Sequence, residues 1–171
     1  MGSLPLVKIL DFGCAKLRQM DAPERPQVVT KATEILGSPP YMSPEQIQGT
    51  ALDERSDIYS VGCLLHEALT GYVPHLGNDS IETLVKHLRD DVMPLKTFRP
   101  DCTFPSDLDF VLIKTLDKEP SRRYQSMRQL KSELEKVRSK LQVPSSGKWW
   151  DVVGKIKKSM SDRSRAGGNR D

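Results

Sequence analysis

With 171 residues the chain is long enough for one domain with a real core and a tail, and too short for two full domains. Its 26 basic and 23 acidic residues leave a net charge of only +3, so charge alone marks neither a nucleic-acid footprint nor an acidic tail. The three cysteines, Cys14, Cys63 and Cys102, are odd in number, widely spaced and without a C-x-x-C pair, which argues against a disulfide framework or a zinc site and fits a reducing cytosol. No stretch reaches the roughly 18 uninterrupted apolar residues of a spanning helix, and the N-terminus lacks the layout of a signal peptide. The chain therefore reads as soluble and cytoplasmic, with no transmembrane segment and no nucleic-acid partner.

The first element in chain order is "LVKIL", Leu6 to Leu10, where Val7 and Ile9 face one way and Lys8 the other, as in a short strand. It runs into Asp11-Phe12-Gly13, a carboxylate and a glycine at the tip of a turn. From Met20 to Pro40 the sequence is rich in Pro, Thr and Gln without a sustained period, which predicts a long surface loop of the kind that is commonly functional. "SPEQIQG", Ser43 to Gly49, predicts a short helical turn with Ser43 as N-cap, Pro44 at the first helical position and Gly49 closing it.

"SDIYSVGCLLHEALTG", Ser56 to Gly71, predicts a helix capped by Ser56 or Asp57, running to Thr70 and stopped by Gly71 in the left-handed conformation. Ile58 to Leu69 is apolar over most of its circumference, so this helix belongs inside a domain. Asp79 with Glu82 forms a capping box for "DSIETLVKHL", and Ser106 with Asp109 a similar start for "SDLDFVLIKTL"; each helix has one apolar stripe. The last helix starts at Ser126, with Gln129 as its reciprocal partner, and places Leu130, Leu134, Val137 and Leu141 on one side. There is no internal repeat. Pro144 to Gly147 is a linker by composition, so the domain spans 1–141 and 142–171 is a basic, disordered tail. Within that tail Trp149, Val152, Val153, Ile156 and Met160 recur at helical spacing among lysines. The pattern permits a helix on an anionic membrane or packed onto the domain, whereas Gly154, the short length and the charge run favour a solvated segment.

Four motifs in this order, "DFG" after an apolar strand, "GSPPYMSPEQ", "DERSDIYSVGCLLHEALTG" and "DKEPSRRYQSMRQL", resemble the C-terminal lobe of a protein kinase, most closely the eukaryotic-like Ser/Thr kinases of bacteria, over Leu6 to Leu141. The resemblance implies a protein-kinase-like α+β fold. This chain would carry its mainly helical C-lobe, with a short N-terminal strand or hairpin and a long activation loop, and no N-lobe. It further implies transfer of the ATP γ-phosphate to Ser or Thr of protein substrates. Asp11 would be the Mg²⁺ ligand at the ATP phosphates; Phe12 would pack between the lobes and Gly13 would let the backbone turn. Read alone, Asp11 merely ends a strand at a turn.

The same resemblance makes Thr30 and Thr33 candidate phosphorylation sites of the activation loop, with Lys16 as a phosphate contact; as plain residues they are two loop threonines and a solvated lysine. Glu34 stands where many kinases carry the phosphorylated residue. Ser38 would be the supporting hydroxyl of the catalytic machinery. Glu45 would pair with Arg123, three residues after Pro120, and Asp57 would bond the catalytic-loop backbone where residue pattern alone reads a helix cap. His66, His75 and His87 have no nucleophile partner in the pattern and read as surface or packing histidines.

Before Asp11 the 171 residues contain no glycine-rich phosphate loop, no third-strand lysine with its glutamate, and no catalytic-loop His-Arg-Asp with its Asn. The expectation is a piece of an ATP-dependent kinase, cut by a misplaced start codon, a frameshift or a contig end, and inactive by itself. The alternative is a non-catalytic kinase-like module that binds a protein.

Overall fold

A computed structural model describes residues 38–140. The strand at Leu6 to Leu10, the Asp-Phe-Gly turn, nearly all of the loop up to Pro40, and the tail with Leu141 lie outside the described residues. Within them are six α-helices, two single 3₁₀ turns at Pro39–Tyr41 and Pro120–Arg122, and no strand: α1 Pro44–Gln48, α2 Glu54–Thr70, α3 Ser80–Arg89, α4 Leu95–Phe98, α5 Ser106–Thr115 and α6 Met127–Lys140.

Local chemistry sets most of the ends. Ser43 Oγ accepts from Gln46 N at 3.4 Å while Gln46 Oε1 accepts from Ser43 N at 2.8 Å, a closed capping box for α1. Gly49 ends α1 at φ 65° and Gly71 ends α2 at φ 84°, both in the left-handed region where a Cβ is unfavourable.

The start of α2 differs from the sequence expectation. Asp53, not Ser56 or Asp57, is the cap, accepting from Arg55 N at 2.8 Å. Ser56 and Asp57 sit inside the first turn, because Ser56 Oγ is drawn to Glu45 Oε1 at 2.7 Å and the helix begins before it. At α3, Asp79 accepts from Glu82 N at 2.8 Å as expected, but Glu82 Oε2 reaches back to Asn78 N at 2.7 Å, one residue further than a strict box. α6 repeats this shift, since Gln129 N donates to Ser126 Oγ while Gln129 Oε1 accepts from Gln125 N. The box expected from Ser106 and Asp109 is absent. Pro105 precedes α5 without a side-chain cap, and Asp109 Oδ1 instead accepts from Leu95 N at 2.9 Å, tying α4 to α5.

The core gathers around α2. Ile58 packs with Leu95 of α4, Leu108, Val111 and Leu112 of α5, Tyr124, and Leu130 and Val137 of α6. A second cluster, Tyr59, Cys63 and Leu116, closes the side facing the first 3₁₀ turn, with Tyr41 and Val92 against it. α2 is thus central, as its apolar circumference predicts, though Leu64 is 53% exposed. The apolar stripe of α3 is split, with Leu84 and Leu88 half-buried. The helix's buried residues are Thr83 and His87, while Ile81 is 70% and Val85 40% exposed, so part of its apolar stripe faces solvent.

Candidate functional site

The most heavily built polar site joins residues distant in sequence. Glu45 on α1 and Arg123, just after the second 3₁₀ turn, meet as a two-pronged pair: Nη1 to Oε1 at 2.6 Å and Nη2 to Oε2 at 2.8 Å. Both are buried, the guanidinium completely. The remaining donors of Arg123 go to carbonyls, Nε to Asp117 at 2.7 Å, Nη1 also to Arg55 at 2.9 Å and Nη2 also to Lys118 at 3.1 Å. Its face lies over the Tyr59 ring at 4.8 Å. Burial pushes the Glu45 carboxyl up, but hydrogen bonds from Arg123 and Ser56, with its own backbone and the guanidinium charge, outweigh burial and hold it below its ordinary value. Such a pair is geometrically specific because a guanidinium fork fits a carboxylate in one plane.

Two further bonds fix the segment before Glu45 against α2. Tyr41 OH donates to Glu67 Oε2 at 2.7 Å, and Ser60 Oγ donates to the Tyr41 carbonyl at 2.8 Å. Ser38 is exposed at the start of the 3₁₀ turn and its hydroxyl caps nothing. Asp57 is exposed in the first turn of α2, and its carboxylate takes no hydrogen bond among the described residues.

The three histidines are all buried, so none is a surface residue. His66 Nδ1 donates to the Tyr72 carbonyl at 2.7 Å and its ring meets Phe98 edge-on at 4.7 Å. His75 and His87 stack edge-to-face at 5.0 Å; Lys118 Nζ lies 3.1 Å from His75 Nε2, and Tyr59 OH shares a hydrogen bond with His87 Nδ1 at 2.8 Å. Burial, then the Lys118 charge and neighbouring basic groups, lowers His75 to about 3; burial and Lys118, against the Pro40 carbonyl, lower His87 to about 4. Burial also lowers the Lys118 ammonium and pushes the Cys63 thiol up to about 12, which makes Cys63 an inert packing residue. Among the described residues no group of three His, Cys, Asp or Glu side chains could hold a metal ion, and no helix is long and apolar enough to cross a membrane.

A family model described as "Protein kinase domain" matches residues 2–134. The chain belongs to the protein kinase domain family. Relatives are similarly named. Serine/threonine-protein kinase PknB of Mycolicibacterium smegmatis is 37% identical over 131 residues, which is 77% of this chain and 20% of the relative. A probable serine/threonine-protein kinase of Clostridium perfringens is 35% identical over 143 residues, 84% of this chain and 20% of the relative. Serine/threonine-protein kinase pkn3 of Myxococcus xanthus is 37% identical over 131 residues, 77% and 24% respectively. This kinase-domain chain thus spans about a fifth to a quarter of the length of these relatives.

Of the kinase residues singled out in the sequence, Glu45 and Arg123 are brought into contact, and Ser38 and Asp57 are described but stand apart from that contact. Asp11, Phe12, Gly13, Lys16, Thr30 and Thr33 lie outside the described residues. Periodicity did not reveal the Ser56 bond to Glu45, the Tyr59 ring under Arg123, or the Tyr41–Glu67 bond. Only "YMSPE" spaced from "PSRR" hinted at a site here, and the neighbouring Arg122 is exposed.

Proposed function

We propose that this chain is the C-lobe portion, residues 1–141, of a cytoplasmic protein kinase that transfers the γ-phosphate of ATP to Ser or Thr of protein substrates, and that these 171 residues do not turn over by themselves. The observation that carries it is the buried Glu45–Arg123 pair inside a chain whose residues 2–134 match the kinase domain. Phosphoryl transfer is mostly positioning and charge neutralisation. The pair, with the Tyr41 and Ser60 bonds, holds the Ser38-to-Gly49 segment on α2 and on the loop after α5, a rigid base for presenting a protein acceptor.

Magnesium, when bound with ATP, supplies positive charge at the phosphates. Asp11 is the residue of this chain suited to hold it, because a hard cation takes carboxylate oxygen, and the described residues offer no alternative cluster. In this reading Ser38 is the supporting hydroxyl, Phe12 and Gly13 shape the turn at Asp11, and Thr30 or Thr33 takes the activating phosphate with Lys16 as its contact. Asp57 waits for a partner from the catalytic loop, and 142–171 is a tail outside the catalytic fold.

The test is phosphate transfer from ATP to a generic protein acceptor. The 171-residue chain should give none. A polypeptide extended upstream to include the glycine-rich loop, the third-strand lysine with its glutamate and the catalytic loop should give transfer that Asp11→Asn abolishes. Transfer by the 171 residues alone, or an extended protein indifferent to Asp11→Asn, overturns the reading. The second reading, a non-catalytic module that binds a protein, is favoured by one observation, the outward apolar face of α3 at Ile81 and Val85. It gains if the extended protein transfers nothing.

A further inference from the structure

A shallow groove of about 370 Å³ runs between α2 and α6. Val61, Leu130 and Leu134 form its apolar bed, Met127 its start and Arg138 its far end. Leu130 is fully covered, but Leu134 is only half-buried and Met127 is 40% exposed. Of the three charged lining residues, Lys131 and Glu135 lie 3.9 Å apart and offset each other, which leaves Arg138 as one net positive charge at the far end.

The chain continues from the C-terminal end of α6 for another 31 residues, and these carry its only two tryptophans, Trp149 and Trp150. Trp149, Val152, Val153, Ile156 and Met160 follow the i, i+3, i+4, i+7, i+11 spacing of one helical face. From Trp149 to Met160 is eleven residues, as from Met127 to Arg138; at the helical rise each spans about 16 Å. The eight intervening residues, 141–148, reach up to roughly 26 Å extended, ample to reverse direction across the roughly 8–10 Å between packed helices.

We propose that residues 149–160 fold back antiparallel along α6 and seat this apolar face in the α2–α6 groove. Trp149 then lies against the Arg138 end, where a guanidinium over an indole is favourable, and Met160 lies near Met127. Lys155 and Lys158 point to solvent.

Because both tryptophans are in the tail, intrinsic fluorescence of the full chain reports on it alone. The proposal expects blue-shifted emission shielded from acrylamide and independent of protein concentration. Ile156→Asp, which alters no described residue, should return emission and quenching to those of solvent-exposed indole while far-UV helicity is kept; Met127→Glu, on the groove side, should do the same. Exposed-indole emission in the unaltered chain overturns the proposal. So does a blue shift that survives Met127→Glu, that grows with protein concentration (a second copy), or that needs vesicles containing phosphatidylserine (a membrane seat). A full chain without helical signal overturns it as well.

Discussion

At the scale of single residues, the decisive object is a buried guanidinium whose every bond is spent. Arg123 holds Glu45 with two bonds and three backbone carbonyls with the rest. Removing Glu45 alone strands a buried cation; removing Arg123 strands a buried anion and three carbonyls. Arg123→Met should therefore cost about 3–5 kcal/mol, a large part of the 5–15 kcal/mol typical of a domain, and Glu45→Met a comparable amount. The double variant Glu45→Met/Arg123→Met should lose clearly less than the sum, because no charge is left unpaired, though the carbonyls of Asp117, Arg55 and Lys118 keep it below the parent. Urea midpoints at pH 7 measure this, and strict additivity would show that the pair is not coupled as described. Little of this was legible locally. The partners are 78 residues apart, beyond any periodicity, and only the resemblance of "YMSPE" and "PSRR" to kinase motifs joined them.

At the scale of elements, the two glycine stops were legible and the starts of α2 and α5 were not. Gly49 and Gly71 terminate helices by backbone sterics alone, which a sequence displays directly. At the head of α2, Asp53, Ser56 and Asp57 are all good caps, and a tertiary partner, Glu45, decides among them by claiming Ser56. The box expected from Ser106 with Asp109 as its reciprocal partner failed for a similar reason, the Asp109 carboxylate being taken by Leu95 N. Asp53→Ala should accordingly cost about 1 kcal/mol, whereas Asp57→Ala should stay within about 0.5 kcal/mol; the reverse order in thermal midpoints would restore Asp57 as the cap. Gly62 makes a sharper case. In an isolated helix Ala would gain about 1 kcal/mol over Gly. Here an added Cβ would lie 2.8 Å from Thr115 Cγ2 and 2.9 Å from Leu116 Cδ2, and overpacking of that kind costs about 1–3 kcal/mol. Gly62→Ala is expected to destabilise by about 1 kcal/mol, through separation of α2 from the end of α5, and a raised midpoint would mean those side chains move aside freely.

At the scale of the whole molecule, the kinase family and five of the six described helices, all but α4, were readable, because four motifs in sequence carry a topology that no single motif does. The way the parts are held was not readable, since His66, His75 and His87 look alike as letters and only packing shows that all three are interior. His75 and His87, with Tyr59 and Lys118, connect α2, the segment after Gly71, α3 and the segment after α5. A fold joined through neutral imidazoles has a definite acid response. The folded rings hold pKa values near 3 and 4, whereas unfolded histidine titrates near 6.5. The unfolded chain therefore binds protons first as pH falls. The stabilisation is complete above about pH 6.5 and is lost progressively towards pH 3–4, with a limiting slope of about 1.4 kcal/mol per pH unit for each ring. The direction is set by burial first and the Lys118 charge second. Glu45, whose carboxyl is held below its ordinary value, adds a loss of the same sign that begins as pH falls into the ordinary carboxylate range, about 4.3 in the unfolded chain, and continues below it, so the interval from pH 6.5 to 5 is dominated by the histidines. In that interval the urea midpoint should fall steadily, and His75→Asn with His87→Gln should make the fall shallower, leaving the part due to buried His66, whose imidazole burial also lowers, even if it lowers the midpoint at pH 7. A midpoint unchanged between pH 7 and pH 5 would mean that His75 and His87 are reached by water and titrate as they do in the unfolded chain.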